Sequence, residues 1–281
     1  MLVFINGQFV PEEQAAVSVF DRGFLYGDGL FEGALVANGK PFRWAQHLER
    51  LQRGADFLNI KLPYSADVLE RYVMELIAHN QVSDAFLRLT LSRGVGPRGY
   101  SPKDATQPTI VVSLHPPPAS DPQSPPQWDL LTSSLRLPAN EPLSQFKTCN
   151  KLPQILARAE ADAVGAHEAL LLSTEGVVVE ASSGNLFWID GKSVCTPPLI
   201  SGILPGVTRA VVLEICQALR LDARERTVTA AKLKDMAGVF VSLSSWGVVA
   251  AQSLDGHVLP QSPVVEQIRQ AYQALVLRET Q

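Results

Sequence analysis

Residues 180–209 read EASSGNLFWIDGKSVCTPPLISGILPGVTR, and this segment decides the fold of the chain. Glu180 ends the apolar run VVVE, and the apolar run NLFWI follows a few residues later. Both runs have the length of buried strands. Pro205 and Gly206 then precede a run with helical spacing, and both residue types are common where helices start. We therefore expect two strands, a connecting loop and a helix over residues 206–219.

Short apolar runs on both sides of this segment predict a β-rich C-terminal part with few crossover helices. EALLLS precedes the segment and GVFVSL follows it. Earlier in the chain, residues 152–164 have the apolar spacing of a helix. The C-terminal part is therefore expected to be mainly sheet.

The N-terminal part mixes strands and helices. LVFING and GALVANGKPFRW predict antiparallel strands, since the pair Asn38 and Gly39 suits a tight hairpin turn. Apolar residues recur at helical spacing from Leu48 and again after Ser65, which could cap the second helix. AFLRLTLSR alternates apolar and polar residues, as a half-buried strand does. We expect a sheet with helices packed on it.

A proline-rich segment, HPPPASDPQSPPQW, separates the two parts. Proline fits neither a helix interior nor a central strand, so this segment is predicted to be a linker. We expect a small N-terminal α/β domain over residues 1–115, an interdomain linker over residues 116–128 and a large C-terminal domain over residues 129–281.

Composition excludes several classes of protein. A formal net charge of −4 with scattered Lys and Arg gives no basic stripe for nucleic acid. The N-terminus has no cationic start or cleavage site, and no apolar run is long enough to cross a membrane, so we expect no signal peptide and no membrane association. Three distant cysteines favour a reducing cytoplasm over a disulfide framework, and the five histidines show no metal-ligand spacing.

Two further segments carry candidate chemistry. FKTCNKLPQILARAEA begins at Phe146, and HLERL covers residues 47–51. A lysine that forms a Schiff base must be partly neutral, and the apolar Phe146 beside Lys147 is compatible with that requirement. On the residues alone, Lys147 is more simply an exposed lysine at a strand end, and Lys151 lies nearby as an alternative.

Together with residues 180–209, these segments resemble the fold-type IV pyridoxal phosphate enzymes: branched-chain aminotransferases, D-amino acid aminotransferases and aminodeoxychorismate lyases. The resemblance covers nearly the whole chain. It implies an α/β (α+β) fold of two domains, with a small α/β N-terminal domain and a larger, β-rich pseudo-barrel C-terminal domain that binds pyridoxal 5'-phosphate. It also implies a homodimer with the active site at the subunit interface.

The resemblance assigns cofactor roles to eight residues. Lys147 is implied to be the catalytic lysine that binds the cofactor, and Glu180 to pair with its pyridine nitrogen. Arg50 is implied to bind the phosphate, and the helix start at Val207 and Thr208 also favours an anion. The remaining implied contacts are Leu204 against the ring and Ser244 and Ser245 as donors.

Substrate contacts are implied by two glycine-rich segments and one strand. DRGFLYGDGLFEG resembles the family's first active-site strand, and SRGVGPRGYSP resembles a loop that reaches a partner subunit's site. The candidate substrate residues are Tyr26, Phe31, Gly33, Arg88, Arg98 and Tyr100.

Three reactions remain open within this resemblance. Arg98 matches the D-amino acid aminotransferases, but Tyr100 and Phe31 replace their histidine and tyrosine. Arg98-Gly99-Tyr100 matches aminodeoxychorismate lyases, which usually carry threonine in place of Gly33. Phe31-Glu32-Gly33, SGNLF and LPGVTR match branched-chain aminotransferases, and a glycine leaves room where the lyases place a hydroxyl.

We therefore expect an aminotransferase that moves an amino group between an amino acid, branched-chain or D-amino acid-like, and a 2-oxo acid. The alternative enzyme is a 4-amino-4-deoxychorismate lyase that produces 4-aminobenzoate and pyruvate. A binding module that keeps the fold without turnover is disfavoured, because Lys147, Glu180 and Arg50 are all present.

Overall fold

The computed structural model describes residues 1–119 and 124–281. The chain forms two compact units: residues 1–118, 146–150 and 276–281 make the first, and residues 119–145 and 151–275 the second. Residues 120–123, inside the predicted linker, lie outside the described residues. The domain boundaries predicted from the sequence, at residues 115 and 129, stay a prediction.

The first unit contains a six-stranded sheet in which every pairing is antiparallel. Its order is β2-β1-β6-β5-β3-β4. The strands are β1 (Leu2–Ile5), β2 (Gln8–Pro11), β3 (Gly29–Ala37), β4 (Lys40–Pro41), β5 (Ala85–Ser92) and β6 (Thr109–His115), and the helices are α1 (Arg22–Tyr26), α2 (Trp44–Leu58) and α3 (Ala66–Asn80).

The predicted local structure of this unit is confirmed. Asn38 and Gly39 make the β3–β4 turn with positive φ angles of 50° and 75°, the backbone that this residue pair tolerates. Leu48, Leu51 and Ala55 line the buried side of α2 and join the core of the sheet. Ser65 is the N-cap residue of α3, as predicted, but its side chain accepts no capping hydrogen bond.

Residues 146–150 pair with β3 although they lie far from it in sequence. The Phe31 amide donates to the Lys147 carbonyl over 2.9 Å, and the Cys149 amide donates to the Gly29 carbonyl over 2.9 Å. Phe146 stacks on Phe57 of α2, with ring centroids 4.4 Å apart. These contacts fix the backbone that carries Lys147.

The second unit contains a nine-stranded mixed sheet in the order β12-β11-β10-β13-β14-β7-β8-β9, with β15 paired to β14. The strands are β7 (Gln127–Leu137), β8 (Glu168–Ser173), β9 (Val178–Ala181), β10 (Asn185–Asp190), β11 (Ser193–Thr196), β12 (Asp222–Glu225), β13 (Gly238–Leu243), β14 (Gly247–Leu254) and β15 (His257–Val258). The helices are α4 (Leu152–Ala163), α5 (Val207–Ala218), α6 (Ala230–Leu233) and α7 (Pro263–Thr280), whose residues from Val276 onward are counted with the first unit.

These elements confirm the expected fold class, a small antiparallel N-terminal sheet and a larger C-terminal sheet with helices. Residues 180–209 form the end of β9, then β10 and finally α5 with Gly206 as its N-cap, as predicted, but the expected connecting loop contains a further strand, β11. The sequence interpretation missed α7, although Val265, Ile268, Tyr272 and Val276 are buried at helical spacing.

No helix among the described residues is long and apolar enough to span a membrane. Within residues 1–119 and 124–281, His, Cys, Asp and Glu form no group of three that could hold a metal ion.

Candidate active site

Lys147 lies in the first unit, on the segment that pairs with β3. Its Nζ lies 4.7 Å from the centroid of the Phe31 ring, and the side chain is half-buried. The amine therefore lies over the face of an aromatic ring, the geometry of a cation–π contact. Lys151 is placed differently, as the N-cap residue of α4.

Arg50 belongs to a buried cluster with Glu32 and His47. Its Nε donates to Glu32 Oε1 over 2.8 Å, and its Nη2 donates to Glu32 Oε2 over 2.6 Å. His47 Nδ1 lies 2.7 Å from Glu32 Oε2. All three side chains are at most 4% exposed, so these contacts form in a low-dielectric environment where charge-assisted bonds are strong.

The cluster shifts the pKa values of both of its titratable partners. Burial alone would raise the pKa of Glu32, but Arg50 and His47 outweigh it and hold that pKa at about 2. Burial lowers the pKa of His47, and the charges of Arg50 and Lys147 lower it further against the opposing effect of Glu32. The arrangement therefore favours an ionised Glu32 and a neutral His47.

Acid is expected to destabilise the protein through this cluster. The contribution of Glu32 is present above its usual pKa of 4.5, is lost as the pH falls toward about 2, and is on the order of 3 kcal/mol. His47 acts in the same direction, since its lowered pKa makes protonation below its usual value of 6.5 unfavourable in the fold.

Urea unfolding at stepped pH would measure both contributions to stability. Glu32→Gln should flatten the decline between pH 4.5 and 2, and an unchanged decline would contradict this assignment.

Phe31, Gly33 and Arg88 are brought together on adjacent strands. Gly33 pairs with Arg88 across β3 and β5, and the Arg88 guanidinium carbon lies 4.1 Å from the Phe31 ring centroid. A Cβ at Gly33 would lie 2.6 Å from Cζ of Phe86. The expectation that Gly33 leaves open room is therefore wrong, because the Phe86 ring fills that space.

Tyr26, Arg98 and Tyr100 lie at a loop that Arg22 holds in place. The Arg22 guanidinium donates to the carbonyls of Gly99 and Tyr100 over 2.8 and 3.1 Å, and its Nε donates to Asp28 over 2.8 Å. The Tyr26 hydroxyl accepts a hydrogen bond from the Gly99 amide over 3.1 Å. Arg98 and Tyr100 are exposed, so a buried arginine fixes the backbone of a loop whose tip faces solvent.

Replacing Arg22 by methionine is expected to loosen this loop. The variant loses charge-assisted bonds to two carbonyls, each worth about 1.5–3 kcal/mol. Limited proteolysis should show trypsin cutting after Arg98 at least roughly tenfold faster, because cleavage follows local opening. Arg158→Met is the control, since it removes only the exposed ion pair with Asp162. Equal cleavage rates in both variants would contradict the role given to Arg22.

Glu180 is a buried carboxylate in the second unit. It is 9% exposed and is the penultimate residue of β9, near the turn to β10. Its Oε2 accepts from the Leu204 amide over 3.0 Å and from Asn185 Nδ2 over 3.4 Å. Asn185 also donates to the Leu204 carbonyl over 2.9 Å, so one amide side chain links the carboxylate to the loop before α5.

A second buried acid supports the turn after Glu180. Glu168 is fully buried, and it accepts hydrogen bonds from the hydroxyls of Ser182 and Ser183 and from the Ala169 amide. These bonds hold the two serines that follow β9. Glu180 therefore lies on a strand end whose position is fixed on both sides.

Val207 and Thr208 open α5 with the donors that an anion needs. Gly206 makes no side-chain cap, and the first amides of a helix have no intrahelical partner. Thr208 Oγ1 lies 3.4 Å from Ser244 Oγ, which stands with Ser245 in the turn between β13 and β14. Amides, hydroxyls and the helix dipole together favour a phosphate at this position.

Comparison with protein families gives an independent result. Residues 29–254 match the family model described as amino-transferase class IV. The chain belongs to this family.

Curated class IV relatives of known name cover almost the whole chain. A Methanocaldococcus jannaschii protein, named provisionally as a branched-chain-amino-acid aminotransferase, is 33% identical over 95% of this chain and 92% of its own length. A D-alanine aminotransferase of Staphylococcus aureus strain N315 is 30% identical over 98% of this chain and 97% of its own length.

Solved structures of class IV enzymes share the fold. The branched-chain amino acid aminotransferase of Escherichia coli has a TM-score of 0.93 at 26% identity and covers 100% of this chain and 96% of its own. A second branched-chain amino acid aminotransferase, solved with pyridoxamine 5'-phosphate, has a TM-score of 0.92 at 29% identity, with 98% and 93% covered. The 4-amino-4-deoxychorismate lyase of Pseudomonas aeruginosa has a TM-score of 0.85 at 31% identity, with 97% and 98% covered.

The donor set of this chain fits the cofactor that such relatives bind. A buried carboxylate suits a protonated ring nitrogen, and the helix start with Thr208 and Ser244 suits a phosphate. Lys147 supplies an amine beside an aromatic face.

The sequence interpretation missed three residues that contact or hold the candidate site residues in the structure. Glu32, Phe86 and Arg22 were not assigned roles, although the sequence gives a signal for one of them. Glu32 is the one charged residue of the otherwise apolar strand GLFEGALVA. A charged side chain is unusual on a strand face that packs against a hydrophobic core.

Proposed function

We propose that this chain is a pyridoxal phosphate-dependent aminotransferase. It moves an amino group between an amino acid, branched-chain or D-amino acid-like, and a 2-oxo acid. The observation that carries the proposal is Lys147, whose backbone is fixed by pairing with β3 and whose amine lies beside the Phe31 ring. The class IV relatives support it, since both named groups of aminotransferases align over almost the full chain.

Each residue has a definite task in this proposal. Bound pyridoxal phosphate supplies a carbonyl that reacts with amines and a ring that withdraws electrons. Lys147 would hold that carbonyl and, once released, move the proton at the substrate Cα. Glu180 would keep a proton on the ring nitrogen, and Leu204 would pack against the ring.

The phosphate would be held by a second group of residues. The amides of Val207 and Thr208 and the hydroxyls of Thr208, Ser244 and Ser245 supply neutral donors. Arg50 supplies a positive charge, which a buried phosphate needs.

The surroundings of Gly33 favour transamination over the lyase reaction. A side chain at this position would meet the tip of the Phe86 ring, which would have to move aside to admit the threonine hydroxyl of the lyases. Arg98 and Tyr100 keep the lyase-like spacing of the loop. The lyase is therefore the second candidate.

Gly33→Thr is expected to destabilise the protein without creating lyase activity. The added atoms would overlap Phe86, and overpacking of this kind costs about 1–3 kcal/mol. Urea unfolding would measure the loss, and Phe86→Ala in the same chain should relieve it. If Gly33→Thr alone kept full stability, the space above Gly33 would not be filled as described.

The substrate class is tested by half-reactions on the cofactor-loaded protein. A panel of L- and D-amino acids, each added alone, should convert the absorbance of the bound cofactor to that of its aminated form. Branched-chain L-amino acids or D-amino acids should react fastest. If the whole panel leaves the spectrum unchanged and aminodeoxychorismate yields pyruvate, the lyase assignment is correct and the proposed function is wrong.

The proposed enzyme is a cytoplasmic homodimer. Val19, Phe20 and Phe24 are 63%, 66% and 74% exposed on the first unit, and exposed apolar side chains of this size favour a protein partner. Sedimentation of the purified chain should give twice the monomer mass of 30.5 kDa, and a monomer would contradict the dimer.

A further inference from the structure

Glu32 occupies a position where an apolar residue would be expected. Leu30, Glu32, Ala34 and Val36 alternate along β3 on the same face, and all four are at most 2% exposed. The three apolar members belong to the core of the first unit. A carboxylate on this row loses its hydration, which is a cost that an apolar side chain would not carry.

The ion pair with Arg50 does not by itself explain why the acid is there. A buried pair gains little net stability over well-packed apolar residues, although loss of one partner is strongly destabilising. What the pair does provide is geometry. Glu32 contacts Arg50 at both Nε and Nη2, and two parallel bonds fix the plane of the guanidinium, which a single bond would leave free to rotate.

His47 completes the arrangement from the same helix as Arg50. It lies one turn earlier on α2, and its Nδ1 contacts the oxygen of Glu32 that also accepts from Arg50 Nη2. The carboxylate is therefore held from two points on one helix face. These contacts fix the orientation of the Glu32 carboxylate, and the carboxylate in turn fixes the orientation of the Arg50 guanidinium.

We propose that Glu32 is a positioning residue for Arg50 and that it sets the orientation in which Arg50 binds the phosphate of the cofactor. This inference rests on the proposed function, because it takes Arg50 as a phosphate ligand. Glu32 touches neither the phosphate nor the substrate in this role. It acts through the guanidinium plane alone.

Comparison of pyridoxal phosphate with pyridoxal isolates this effect. Both ligands carry the aldehyde that Lys147 would bind. The dissociation constant of pyridoxal divided by that of pyridoxal phosphate, measured on the full-length apoprotein, is the ratio that reports the phosphate contribution alone. Glu32→Gln should weaken pyridoxal phosphate by roughly 30-fold, the low end for loss of one partner of a buried charge pair. Pyridoxal binding should change less than about twofold, which is near the usual error of additive free energies.

The matched control is Glu49→Gln. Glu49 precedes Arg50 on α2 but is exposed, and its loss removes the same charge without touching the cluster. Both dissociation constants should stay at the wild-type values in this variant. A similar loss of pyridoxal phosphate affinity in Glu49→Gln would assign the effect to net charge and overturn the proposal.

Arg50→Gln separates failure of this inference from failure of the proposed function. If Arg50→Gln leaves the ratio unchanged, Arg50 is not a phosphate ligand and this inference fails, whereas an apoprotein that binds neither pyridoxal phosphate nor pyridoxal would overturn the proposed function. If Arg50→Gln lowers the ratio but Glu32→Gln does not, the role of Glu32 alone is wrong.

Should Glu32→Gln not fold, Glu32→Asp keeps the charge but shortens the reach to Arg50, and it should lower the same ratio. If Asp also weakens both ligands equally or prevents folding, Glu32 is structural and the proposal is overturned.

Discussion

Lys147→Ala is expected to abolish turnover. The variant loses the amine that would bind the cofactor and the group that would move the substrate Cα proton. Proton transfer by a positioned side chain alone contributes up to about 10⁴-fold, so kcat should fall by at least that factor. The absorbance of the lysine-bound cofactor should also disappear. Steady-state kinetics and an absorbance spectrum of the purified variant measure both effects.

Lys151→Ala is the control for this prediction. Lys151 lies four residues further along the chain and precedes α4, whereas Lys147 lies beside the Phe31 ring. Lys151→Ala should keep the absorbance band and most of the activity. If Lys151→Ala lost the band while Lys147→Ala kept it, Lys151 would be the lysine that binds the cofactor and the role proposed for Lys147 would be wrong.

Glu180→Gln is expected to lower kcat by about 10²- to 10⁴-fold, the range for a group that controls a proton in the reaction. A neutral amide cannot stabilise a protonated ring nitrogen as a carboxylate does. The amide can still accept from the Leu204 amide, so the fold should survive. Cofactor affinity should change much less than kcat, and both can be measured on the same preparation.

Glu175→Gln is the matched control for Glu180→Gln. Glu175 stands in the exposed turn before β9, so its replacement removes an equal charge from the same part of the chain. Its kinetics should equal those of the wild type. If Glu180→Gln retained full kcat, the carboxylate would have no part in the chemistry and the proposed role would be withdrawn.

Local structure was predictable because it depends on residues close in sequence. The Asn38-Gly39 turn and the buried side of α2 follow from backbone preference and apolar spacing. The pairing of residues 146–150 with β3 was not predictable in this way. It joins distant segments through backbone hydrogen bonds, and such bonds leave no pattern in either segment.

The candidate site was predictable only in part for the same reason. Lys147 and Glu180 were assigned through the resemblance, whereas the structure adds how each is held. The contact between Glu32 and Arg50 depends on how α2 lies on β3, and the ring over Gly33 depends on the register between β3 and β5. Packing between elements sets both contacts.

Transfer of the amino group itself tests the proposed function most directly. The cofactor-loaded protein would be mixed with one ¹⁵N-labelled amino acid from the reactive class and no oxo acid. An aminotransferase should give one oxo acid per subunit and the ¹⁵N label in the released, aminated cofactor, detected by mass spectrometry. An unlabelled cofactor, or label released only as ammonia, would contradict the proposed function.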